Sequence, residues 1–147
     1  MAQSVIFKPT GGSNTQLTPT DGLITISTSG SIVAGAYYDG FPLPDPSSTT
    51  TTNVLITNKA AVSAASWNIG ETANPAIVTV ANGASLTLDN SDKIAPNSHV
   101  VVGNGGTLIL GGYATTTSDL IQFDGSGGTI EIAAGTTPSI IQYITNI

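Results

Sequence analysis

The chain has 147 residues, of which 39% are hydrophobic and only 8% charged, and nine acids against Lys8, Lys59 and Lys93 give a net charge of −6. With no arginine the chain lacks the basic footprint that nucleic acid requires, an anionic membrane would repel it, and without cysteine there is neither disulfide nor thiol chemistry. Helices normally carry Glu, Lys and Arg on their wet faces, so a wet surface of Thr, Ser and Asn predicts strands and turns in one all-β domain spanning residues 1–147.

The first residues, Met1 to Lys8, lack the basic and apolar regions of a signal peptide. The expectation is an excised mature segment or a protein kept in a cytoplasm until release. No stretch is long and apolar enough to span a bilayer as a helix. Within residues 1–10, Ser4 to Phe7 reads as a terminal strand. Next, Ile24, Ile26, Thr28, Ile32 and Ala34 repeat as Val54, Ile56, Asn58, Val62 and Ala64, 30 positions on. The intervening residues 35–53 read as an inserted Pro/Thr-rich loop. Three prolines there cannot join a central strand, and exposed aromatics beside rigid prolines make good contact anchors. Tyr37, Tyr38, Phe41, Pro42 and Pro44 are therefore the candidate partner contacts; the alternative is a loop folded over the end of the core. Thr49 to Thr52 and Thr115 to Thr117 are consecutive within loops, which does not make an ice-binding face.

The stretch from Ala60 to Trp67 suits two helical turns or an alternating strand. Ile56, Asn58, Val62 and Ala64 recur as Val80, Asn82, Leu86 and Leu88 at a spacing of 24. Three segments then align without a gap: Gly83-Ala84-Ser85-Leu86-Thr87-Leu88, Gly105-Gly106-Thr107-Leu108-Ile109-Leu110 and Gly127-Gly128-Thr129-Ile130-Glu131-Ile132, successive copies being 22 residues apart. Each follows a second alternating run, so one unit reads strand, tight Asn/Asp/Gly bend, strand, polar stretch. Such a unit cannot bury its apolar face alone, whereas stacked copies bury a continuous column. The expected fold is a short β-solenoid of about five rungs of roughly 22 residues, about 20–25 Å tall at the usual strand spacing. A jelly-roll-like β-sandwich is the alternative. Asn58, Asn82 and Asn104 are placed to form side-chain ladders at the bends, the alternative being ordinary turn punctuation.

From Asp89 to Ile132 the chain resembles the autotransporter-associated β-strand repeat. The resemblance is carried by Asn90-Ser91-Asp92-Lys93-Ile94-Ala95-Pro96, by Val100-Val101-Val102 and by Gly105 to Tyr113. It implies a right-handed β-helical passenger displayed on a bacterial surface. Similar repeats occur in phage tail spikes and fibres. The motif brings no catalytic residues with it.

The side chains that carry chemistry are few. His99 stands alone, without the second His or Cys a zinc site needs, and is expected at a solvent-facing or strand-edge position. Asp89 with Asp92, and Asp119 with Asp124, are the carboxylate pairs that glycoside cleavage would use, the alternative being turns in which Asp bonds neighbouring amides. Asp89, Asn90 and Asp92 are the candidate calcium ligands. The reading is that no catalytic residue, metal or cofactor is present, and that glycan binding stays open with no residue to support it.

Residues 138–147 close the chain as a second terminal strand. With Val5, Ile6 and Phe7 at one end and Ile140, Ile141, Tyr143 and Ile144 at the other, the termini either cap the column by folding back or join neighbouring subunits by strand addition. The expected function is thus structural: a homo-oligomer such as a trimer within a larger protein assembly, as in a phage capsid decoration, fibre or spike on a virion or extracellular surface. A fragment of a secreted adhesin passenger is the alternative, and a carbohydrate-active β-helix enzyme is the third reading.

Overall fold

The computed structural model describes residues 3–38, 51–72 and 74–147. The chain opens with a hairpin of β1 (Gln3–Pro9) and β2 (Thr15–Leu17). It then winds through β3 (Leu23–Ile26) and β4 (Gly30–Tyr38), and through β5 (Thr52–Ile56), β6 (Ala61–Ala64) and β7 (Asn68–Ile69). The next coils hold β8 (Ala76–Val80), β9 (Ser85–Asp89) and β10 (Lys93–Ile94), then β11 (His99–Val102) and β12 (Thr107–Gly111). The last elements are β13 (Ile121–Phe123), β14 (Thr129–Ile132), a 3-10 helix over Pro138–Tyr143 and β15 (Ile144–Asn146). These stacked parallel coils form a β-solenoid of about four turns with roughly 23 residues per turn.

One sheet has the order β15-β13-β11-β8-β5-β3 and a second β14-β12-β9-β6-β4-β1-β2, while β7 and β10 form a short third side. The five rungs counted in the sequence are the parallel strands β4, β6, β9, β12 and β14. The in-register motifs pair as read: Leu86 opposite Leu108, and Leu108 opposite Ile130. Within the Ala60 to Trp67 stretch, Ala61–Ala64 form the strand β6, alternating exposed and buried.

Alternation drives the core. Val54, Val78, Val100 and Ile121 stack as one inward column and Val62, Leu86 and Leu108 as another. Branched side chains in parallel register lose their water to the rungs above and below, worth about 1.5–3 kcal/mol for each fully buried residue. Trp67, Ile69, Ile94, Tyr113, Leu120 and Ile140 complete the core, with Ile69 and Ile94 coming from the third side.

The bends stack through their backbones. Asn82 N–H donates to Asn104 O at 2.8 Å, Gly83 N–H to Gly105 O at 2.9 Å, and Gly105 N–H to Gly127 O at 3.1 Å. Asn82 and Gly83 both have positive φ, 56° and 80°, a conformation that Asn tolerates and Gly adopts freely. The asparagine side chains do not form the expected ladder with one another. Asn82 Nδ2 donates to Thr57 Oγ1 at 2.8 Å, and Asn58 Nδ2 reaches Ser27 O at 3.5 Å. Once the main chains are in register, the nearest acceptors lie one rung down on neighbouring bend residues.

One register differs from the sequence reading. Ile24 and Ile26 pair with Val54 and Ile56 as the 30-residue spacing requires, but Ile32 pairs with Ala64 rather than Val62. The first bend is two residues shorter, and a shift of two leaves every side chain on its own face. Gly30, opposite Val62, lies so close to β1 that a Cβ there would come within 2.2 Å of Lys8 O. The space a longer bend would fill is occupied by the N-terminal strand.

Candidate functional site

Of the residues singled out for chemistry, His99, Asp89, Asp92 and Asp124 make side-chain hydrogen bonds within the fold. His99 opens β11, is half-buried, and its Nδ1 lies 2.6 Å from the backbone carbonyl of Asp119. A carbonyl only accepts, so Nδ1 is the donor in this contact. Its strand β11 lies inside a sheet, between β8 and β13, and the side chain stays partly open to solvent.

Asp89 and Asp92 share one turn but do not form an acid–base pair. Asp89 Oδ1 accepts from the Ser91 amide at 2.8 Å and from the Ser91 hydroxyl, and these bonds, the hydroxyl's first, hold its carboxyl below the usual range. Asp92 is buried, and its two oxygens accept from the amides of Trp67 and Asp89, each at 2.8 Å. Burial pushes its carboxyl up, and the nearby Asp89 charge adds to that. Asp89 Oδ1 and both Asp92 oxygens accept hydrogen bonds within the fold, and no group of three or more His, Cys, Asp or Glu among the described residues is placed to hold a metal. Asp124 repeats the Asp89 arrangement, accepting from the Ser126 amide at 2.8 Å and from its hydroxyl, which lowers its pKa. Asp119 lies at the other end of β13. Asp89 and Asp124 show the turn chemistry in which Asp bonds neighbouring residues, while Asp92 bonds both its own turn and the coil before it.

The candidate partner loop falls largely outside the described residues, which exclude Phe41, Pro42 and Pro44. The backbones of Tyr37 and Tyr38 continue β4 and pair with Ser4 and Gln3 of β1.

The two ends of the column differ. At the N-terminal end β1 runs antiparallel between β4 and β2, and Val5 and Phe7 point into the core. Both edges of β1 are therefore filled from within the chain, which leaves Val5, Ile6 and Phe7 no edge for strand addition. With Leu17 packed against the core, the hairpin covers the first coil, where Ile24 and Ile26 are buried.

At the C-terminal end the expected strand over 138–147 is only partly formed. Ile140, Ile141 and Tyr143 lie in the 3-10 helix, because Pro138 presets a helical φ at its first turn. Ile140 is buried, while Ile144 begins β15, which pairs in parallel with β13. One sheet thus rises a strand higher than the other, since among the described residues no strand pairs with the outer edge of β14. The step is a groove of about 320 Å³ lined by Phe123, Ile130, Ile132, Ile141 and Ile144, with Thr145 and Asn146. Leu108 and Leu110 below it are fully buried, whereas Ile130 and Ile132 remain partly open and Ile141 and Ile147 are 60% and 76% exposed.

The backbone there is open as well. Thr129 and Ala133 donate to Gly106 and Leu110. Peptide groups alternate edges along a strand, so those of Ile130 and Ile132 turn to the open side. This is an exposed apolar strand edge of the kind soluble proteins normally blunt or cover. The sequence reading placed assembly residues at this end but missed Ile130, Ile132 and Phe123. The available signal was their place in the third aligned copy and in the alternating run before it.

No family model, curated protein or solved structure matches this chain. Among the described residues no helix is long and apolar enough to cross a membrane.

Proposed function

We propose that the chain is a non-enzymatic structural module that self-associates within a larger surface assembly, as a decoration, fibre or spike component of a phage virion does. The observation that carries this reading is the C-terminal end, where open strand edges lie beside exposed isoleucines. An outer surface rich in Thr and Ser and poor in charge agrees with an extracellular or virion location. The test is the mass of the native particle by light scattering after size exclusion. A discrete oligomer or a polymer is the expected result, and a 14.7 kDa monomer at every concentration would defeat the reading.

A second reading, a segment of a secreted adhesin passenger, draws on the same end, since further coils of a longer chain would cover β14 equally well. The repeat-like stretch from Asp89 to Ile132 supports it. A parent gene encoding more units of about 22 residues would favour it.

A further inference from the structure

We propose that the C-terminal end is a twofold interface in which β15 of each copy lies antiparallel on β14 of the other, so that the occupant of the groove is a second copy of this chain. This rests on the assembly reading above and names its contact. The step at this end is one strand deep, with β15 the strand that stands proud and β14 the strand left open. β15 runs with β13, toward the bend at residues 124–128, and β14 runs away from that bend. A twofold axis lying across the end face and bisecting the two sheets exchanges their positions and turns the column over. The partner's β15 then arrives above β14, pointing the opposite way, and the same contact forms in reverse. Both sheets run on through the pair, and the contact closes on itself as an isologous interface does.

Two further observations select a second copy in this arrangement. None of the seven residues lining the groove is charged, although the chain carries a net charge of −6, so this is a face on which like chains meet without opposing acids in the groove. Head-to-tail stacking does not match, because at the N-terminal end β1 and β2 stand two strands beyond β4, in the same sheet whose other end offers a shelf one strand deep.

The experiment is sedimentation velocity of the full chain over a concentration series, with two variants. Ile141→Asp adds a carboxylate at a 60% exposed position beside the groove. Asn146→Pro removes an amide turned to the open edge while leaving the Ile147 N–H bond to Phe123 O. Circular dichroism checks that each variant folds, and if one does not, the other carries the test. The expected result is a wild-type dimer whose dissociation constant rises about tenfold or more in each folded variant. A trimer or fibre unmoved by either variant would overturn the end-to-end pairing and leave the assembly reading standing. A monomer throughout would overturn both.

Discussion

The backbone amide of Trp67 donates to the carboxylate of Asp92 at 2.8 Å, so a buried acid in one coil holds the main chain of the coil before it. The other carboxylate oxygen accepts from Asp89 N–H at 2.8 Å, closing the Asp89–Asp92 turn. We predict that Asp92→Ala, which leaves both amides without their acceptor, costs about 2–3 kcal/mol in urea unfolding. Asp92→Asn keeps one acceptor and should cost about 1 kcal/mol. Burial raises the folded pKa of Asp92 above 3.8. Its ionisation therefore weighs against the folded state: the stability it contributes is fully present below the unfolded value and declines as pH rises through the folded one. The deficit of Asp92→Asn relative to wild type should be largest in acid and shrink toward neutrality; a deficit that grows instead would contradict the burial argument.

The bend between β11 and β12 tests the stacking of the coils. A Cβ on Gly106 would sit 1.9 Å from Val80 O, one coil below, whereas a Cβ on Gly111 would meet nothing closer than 3.7 Å. Gly106→Ala should destabilise by about 3 kcal/mol, the upper end of ordinary overpacking, because the obstacle is backbone and cannot swing aside. Gly111→Ala should stay within about 0.5 kcal/mol of wild type. Equal denaturation midpoints for the two variants would refute this close approach.

Tyr113 is a buried phenol beside the third side of the column, and burial pushes its pKa up to about 12. The unfolded phenol ionises near pH 10. Its contribution is complete below pH 10 and is lost as pH rises from there to about 12, because the unfolded chain gives up the proton first. Urea midpoints measured between pH 9 and pH 12 should fall more steeply for wild type than for Tyr113→Phe. Parallel slopes would mean that the phenol is not desolvated as described.

Truncations along one inward column should reveal where the column ends. Leu108 is fully buried and lies between Leu86 and Ile130, whereas Ile130 has a rung on one side only. At micromolar concentration Leu108→Ala should cost about 3 kcal/mol, within the range for a filled core. Ile130→Ala should cost about 1 kcal/mol, since part of its surface is already in water. At concentrations where sedimentation shows a monomer, a larger loss at Ile130 than at Leu108 would contradict this account of the open end.

The repeating unit was legible because its physics is local. Gly-Gly-Thr followed by alternating Leu and Ile gives a bend and a strand, and the 22-residue spacing from Gly83 through Gly105 to Gly127 gives the rung without reference to anything distant. The inward face could also be read, since alternation alone separates Val78 and Val80 from Thr79. The use made of the acids was less legible: Asp92 looks the same in sequence whether it binds a metal, acts as an acid or accepts from an amide 25 residues earlier.

By itself, then, the sequence determined the strand-bend-strand unit, its period and the residues that face inward, all consequences of side-chain alternation and of which residues tolerate a left-handed bend. The tertiary structure alone decided the two-residue shift of Ile32 onto Ala64, the return of β1 as an antiparallel cap, and the step at which β15 stands above β14. Those features depend on which distant segments compete for the same edge or the same volume. A strand's pattern of side chains states what face it needs to bury, but not which other strand will lie beside it.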